Sequence, residues 1–260
     1  MVEVAWTTLA ERQAARMWLD RHGVAVDEPT PLLAVRIGAR VPATRTYQVY
    51  GVLSPVVWVA ALLPPVPVRA RFLVFTALVV VHPLLLWRRI RKADRAAARL
   101  VAAGARPSFR VAAGQVGWWY LAAVATTFGG GAVLCATLAV NPVGWAAALV
   151  IGAASAAPVL GRALRAPVIA DDEASRAVDA ALRTYDSRVF AAPFVFTFLA
   201  WIDLSTDWPW PPARVVPVVA YFVLAAVVHV RAVLEVRGRR LPPGHYGTEP
   251  RAALGENRGR

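Results

Sequence analysis

Few side chains in this sequence stand where chemistry needs them, and those few lie within or beside long apolar runs. His82 and His229 are imidazoles inside such runs. A ring there can relay a proton or hold a ligand, because a polar group in an apolar setting must find a partner. His82 also precedes Pro83, whose missing N–H frees a backbone carbonyl one turn earlier. Asp203 and Asp207 stand among Trp201, Trp208 and Trp210, and an acid rimmed by aromatic rings suits a cationic ligand. His82 and Asp203 are therefore the candidate ligand-binding residues. Gly129-Gly130-Gly131, with Thr126, Thr127 and Thr137, gives one run a small, faintly polar face. Ala148, Gly152 and Ala156, spaced by four, do the same in the next. Such faces let helices approach closely; a kinked helix lining a path is the sharper alternative.

Other chemistry is missing at the level of motifs. No Gly-rich loop ends in Lys-Ser or Lys-Thr, and no Gly-x-Ser-x-Gly elbow is present. Cys135 is the single cysteine, and no histidines are spaced as ligands. No catalytic residue, metal or cofactor is expected.

The elements that position these residues are set by composition. Of 260 residues 58% are hydrophobic and only 17% charged, with a mean hydropathy of +0.49. Soluble chains run nearer 45–50% apolar with about a quarter charged. Disorder and a disulfide scaffold are excluded, which leaves an all-α, polytopic membrane helical bundle. The net charge of +13 suggests nucleic acid at first. However, the basic residues sit between apolar runs, as in membrane proteins, so no nucleic acid is expected and the lipid bilayer is the partner.

A bilayer core of about 30 Å takes about 20 apolar residues. Thr46 to Val68 and Phe72 to Trp87 are uncharged, and Val111 to Gly161 holds no charge over 51 residues, interrupted by Asn141-Pro142 as a turn signal. With the runs near 189–208 and 214–236, six transmembrane helices are predicted, near 47–67, 70–87, 117–140, 143–161, 189–208 and 214–236. If the N-terminus is cytoplasmic, the inside segments hold 26 of the 29 basic residues. The positive-inside bias thus places both termini in the cytoplasm. The chain is expected in the cell (cytoplasmic) membrane as a multi-pass protein.

Outside the 47–236 membrane domain the segments are short. Thr8 and Glu11 fit a capping box opening a helix that ends around Gly23, with Ala14, Ala15, Trp18 and Leu19 on one face and Met17 alongside. Pro29-Thr30-Pro31 is a breaker, completing a 1–46 cytoplasmic segment. The basic 88–110 segment, with Asp94 as its one acid, continues the second span as a helix as far as Gly104. Asp171-Asp172-Glu173 opens a helix over 172–187, with Ala174, Ala177, Val178, Ala181, Leu182 and Tyr185 on one side. The 237–260 tail, rich in Arg, Gly and Pro, is expected to be disordered.

The stretch Pro167-Val168-Ile169-Ala170-Asp171-Asp172-Glu173-Ala174-Ser175, continuing through Ala180-Ala181-Leu182-Arg183, resembles a segment of uncharacterised six-span membrane proteins of high-GC Gram-positive bacteria. That resemblance implies a membrane location and no activity. The layout is also similar to that of ABC-2 type permease subunits, which have six spans, an amphipathic first helix and an inside loop that contacts an ATPase. Together these readings predict a non-enzymatic, transport-associated or regulatory membrane component. Its 9–22 and 172–187 helices would dock a cytoplasmic protein such as an ATPase, or equally pack their faces on the chain's own bundle. An exporter permease subunit and an intramembrane enzyme are the alternatives.

Overall fold

The computed structural model describes residues 7–62, 81–101, 104–137, 142–191, 212–236 and 239–248. Their structure is mostly helical, and several helices begin where the sequence supplies a capping side chain. Thr8 Oγ1 accepts the Glu11 N–H at 3.2 Å while the Glu11 carboxylate accepts the Thr8 N–H at 2.8 Å. This is the expected capping box, and it opens α1 (Leu9–Arg21). Ala14, Ala15 and Leu19 are buried on its inner face, whereas Met17 is exposed.

Pro29-Thr30-Pro31 breaks the chain only briefly. The Thr30 carbonyl accepts the Ala34 N–H at 2.9 Å, and Pro31, whose N–H would be unused there, is the first residue of α2 (Pro31–Leu62). This helix runs straight through the expected boundary between a soluble segment and a first span at 46/47. The reason lies in Leu32, Leu33, Ala34 and Ile37, all buried at helical spacing.

Helix α3 (His82–Ala97) buries the stripe Pro83, Leu86, Trp87, Ile90, Asp94 and Ala97. It stops at Ala97, short of the expected end at Gly104. Instead the Gly104 N–H donates to the Val168 carbonyl at 3.2 Å. Gly104 thus marks a close approach of two connectors, with room there for no side chain.

Ser108 caps α4 (Phe109–Val116). Gly117 follows at φ +104°, a conformation that L side chains avoid, and a Cβ there would strike the Glu235 carboxylate. The turn redirects the chain into the helical run α5 (Trp118–Thr137). Within α5 the stretch Thr126–Gly130 is a π-helical turn, a widening that disturbs the backbone ladder locally. The phenol of Tyr221 donates to the Thr127 carbonyl at 2.8 Å. Its ring occupies the space that a Cβ at Gly130 would need. Gly130 of the glycine run therefore serves a close helix contact, whereas a Cβ at Gly129 would meet open space. Tyr221→Phe is expected to cost about 1 kcal/mol, the usual worth of one hydrogen bond. The check is the melting midpoint of the purified protein in detergent.

Pro142 begins α6 (Pro142–Arg165); Ala148, Gly152 and Ala156 all face inward, as their spacing predicted. Asp172 caps α7 (Glu173–Phe190) by accepting the Ser175 N–H at 2.6 Å. The last helix among the described residues is α8 (Pro212–Val236).

Three of these helices, at Trp118–Thr137, Val143–Arg165 and Val215–Val236, are long and apolar enough to cross a membrane. On α8 the side chains of Val216, Val219, Val223, Leu224, Val227, Val230, Val233 and Leu234 are each at least half exposed. Water would penalise such a surface heavily, and soluble monomers seldom carry one.

The expectation of a disordered tail from 237 onward does not hold for 239–248. The Leu241 N–H donates to the His22 carbonyl at 3.3 Å. Glu28–Pro29 (β1) and Gly247–Thr248 (β2) pair antiparallel, in register Glu28 with Thr248 and Pro29 with Gly247. Gly247, at φ +152°, leaves no room for a Cβ beside the Glu28 carbonyl. Tyr246 is buried with Leu19, Leu33, Ile37, Val178 and Leu182. Composition hid this, because the tail is anchored by one aromatic ring and a few backbone bonds.

Candidate functional site

The stripes of α1 and α7 that the sequence offered as docking faces meet inside the chain. Ala15 and Leu19 from α1, Leu33, Ala34 and Ile37 from α2, and Ala174, Val178 and Leu182 from α7 form one core. Beside it lies a feature that the sequence reading did not assemble: a buried cluster of arginines and aspartates.

Helix geometry builds it. Arg36 and Arg40 are one turn apart on α2, facing inward with Leu33 and Ile37; Asp179, Arg183 and Asp186 repeat at four and three residues on α7. Asp94 comes from the buried stripe of α3 and Arg162 from the end of α6. Arg36 Nε donates to Asp94 Oδ1 at 3.2 Å, its Nη2 to Asp179 Oδ1 at 2.6 Å and its Nη1 to the Ile169 carbonyl at 2.9 Å. Arg40 forks in two directions. Its Nη1 and Nη2 reach Asp94 Oδ1 and Oδ2, both at 3.1 Å, while Nε and Nη2 reach Asp186 Oδ1 and Oδ2 at 2.9 and 2.7 Å. Arg162 Nη2 adds a contact to Asp94 Oδ2 at 3.2 Å. Arg183 pairs with Asp179 at 2.7 Å and donates to the carbonyls of Ala163, Ala166 and Pro167, closing the end of α6.

Asp94, Arg36, Arg40 and Asp179 are each at most 3% exposed. Charges taken out of water cost several kcal/mol apiece unless opposite charges and hydrogen bonds answer them. Here they are answered, by the planar guanidinium fork that lysine lacks. The cavity among them measures about 20 Å³, room for one water.

The two carboxylates on Arg40 differ. Burial works against ionisation at Asp94, but Arg40, Arg36 and Arg162 outweigh it and hold the carboxyl well below the usual range. At Asp186 burial prevails over the pull of Arg40, and the neighbouring Asp94 charge adds to it, so that carboxyl is pushed up. The guanidinium of Arg40, disfavoured by burial, is held charged by both acids. On acidification Asp186 takes the proton first.

The signs of the two contributions oppose each other. A carboxyl raised in the folded state favours folding more as pH falls toward its unfolded value, about 3.9. A depressed carboxyl contributes fully above that value and loses its contribution as pH falls below it. Melting midpoints are therefore expected to rise slightly on mild acidification and to collapse below pH of about 4. The mild-acid gain should vanish in Asp186→Asn. A midpoint that keeps rising to the acid limit would contradict the assignment of Asp94.

His82 opens α3 half-buried. It stands twelve residues before Asp94, about 18 Å along the helix, and does not join the cluster. Asp203 lies outside the described residues. The cluster left its trace in the sequence as arginines at i and i+4 inside an apolar period, and as the one acid in a basic segment. Compared with known protein families, curated proteins and solved structures, the chain shows no match.

Proposed function

We propose that the chain is a six-span protein of the cell membrane with both termini in the cytoplasm. In this reading it works as a transport-associated or regulatory component without an enzymatic activity of its own. The observation that carries the reading is the division of the surface. Apolar side chains point outward on α5, α6 and α8, while exposed charged ones gather at α1, α3, α7 and the tail. A bilayer around the first group and water around the second satisfies both.

The ion cluster then lies at the inner ends of the helices. It ties the beginnings or ends of α2, α3, α6 and α7 into one base. Its acids are saturated by arginines and its void admits a single water, which favours a mechanical role over catalysis at that place. The likeness of the 167–183 segment to six-span proteins of high-GC Gram-positive bacteria agrees with a membrane location.

A cytoplasmic partner such as an ATPase meets the outer side of this base, because the inner faces of α1 and α7 are covered by the chain itself. The experiment is gentle purification of the tagged protein from native membranes, with identification of what accompanies it. A stoichiometric ATPase supports the transport-associated reading and favours the permease-subunit version of it. Recovery of the protein alone would remove the partner from the proposal.

A further inference from the structure

The outer face of α3 is a surface with no part in the core or the ion cluster. Its buried stripe takes Leu86, Ile90, Asp94 and Ala97 inward. On the opposite side, at steps of four and three residues, stand Arg88, Lys92 and Arg95, followed by Arg99 in the turn just past the helix end, all exposed. The same line continues toward the start of the helix as Val81 and Leu85, which are 47% and 51% exposed. An apolar stretch thus passes directly into a basic one on a single face. The sole acid of the helix, Asp94, is turned away and bound by Arg36, Arg40 and Arg162, so nothing on the helix neutralises the outer row. Arg91 is drawn aside over the Trp87 ring, 5.0 Å from its centre.

We propose that this face binds the headgroups of anionic phospholipids in the inner leaflet. The inference rests on the membrane reading above and adds to it a lipid preference with an address. Val81 and Leu85 fix the hydrocarbon boundary; Arg88 and Lys92 stand one and two turns beyond it, at headgroup level. Arg95 follows about 10 Å from Arg88 at 1.5 Å per residue, and Arg99 stands in the turn just beyond the helix. There they add to the attraction across the surface potential, which decays over about 8–10 Å. Basic clusters next to a span attract acidic lipids in this way. The turn from apolar to basic on one exposed line favours a membrane surface over an acidic protein, which has no use for the valine and leucine.

The test uses the full-length protein in nanodiscs of phosphatidylglycerol and phosphatidylcholine, with the lipids that remain bound after detergent dilution quantified. Wild type is expected to enrich phosphatidylglycerol about threefold over the bulk ratio and to lose the enrichment in high salt. The Arg88→Gln/Lys92→Gln/Arg95→Gln/Arg99→Gln variant should hold the bulk ratio. Added inorganic phosphate should displace the lipid no better than chloride of equal ionic strength; specific displacement by phosphate would mean a free-anion site and overturn the proposal. A wild-type ratio equal to bulk, or enrichment insensitive to salt, would overturn it as well, whatever the variant does. Carbonate washing of native membranes separates the two levels. A protein released by the wash removes the membrane reading itself, whereas a retained protein without enrichment removes only the lipid site.

Discussion

Asp94→Ala is expected to lower the stability of the protein by about 3–5 kcal/mol, the cost of removing one partner from a buried ion group. Three guanidinium groups reach Asp94, and two of them, on Arg36 and Arg40, are themselves buried. Without the carboxylate they face one another with Asp179 and Asp186 as their remaining acids. The loss is read as a fall in the melting midpoint in detergent, or as failure to elute as a single species. The pairwise nature of the effect has its own signature. Arg40→Met combined with Asp94→Leu and Asp186→Leu removes charge of both signs, and should cost far less than the single changes summed, because apolar replacements of whole ion groups are often neutral. Equal costs for the triple variant and the sum would mean that the cluster acts by packing alone.

Tyr246→Ala is expected to cost about 3 kcal/mol, in the range for removing a buried aromatic ring. The ring is 2% exposed and sits where α1, α2 and α7 meet. Tyr246→Phe keeps the ring and loses only the hydroxyl bond to the Pro242 carbonyl, so about 1 kcal/mol is expected. The larger change should also free β2 from β1 and expose the 22–31 connector to protease. Limited proteolysis that cuts wild type and Tyr246→Ala at the same rate in that connector would argue against an anchoring tail.

The helices were legible in the sequence where a local signal sufficed. Thr8 with Glu11 marks one helix start through bonds of three-residue reach, Asp171-Asp172-Glu173 marks another through acids in the first turn, and Ala148, Gly152 and Ala156 mark an inward face through spacing alone. The cluster was not legible, because apart from Asp179 and Arg183, one turn apart on α7, its ion pairs join residues 54 to 146 positions apart. Arg36 and Arg40 fall in the 1–46 segment, ahead of the predicted first span near 47–67. Once the helix starts at Pro31, they fall on its apolar side and require acids. Asp94 showed as an oddity, one acid among eight basic residues over 88–110, without showing that it turns inward. The tail misled because its content of Arg, Gly and Pro says nothing of a single tyrosine in a core 60 residues or more away. The amphipathic faces left two coverings open for a related reason: a stripe declares that something covers it without saying what, and here α1, α2 and α7 cover one another.

The most direct measurement of the six-span arrangement is a set of reporter fusions to the full-length chain and to its truncations. Fluorescent protein fused at the C-terminus should fold and glow, and alkaline phosphatase there should be inactive, since both termini are inside. Phosphatase joined after Val68, Val140 and Trp210 should be active, and after Lys92 and Asp179 inactive. Phosphatase activity at the C-terminus, or after Asp179, would contradict the arrangement and place the ion cluster outside the cell.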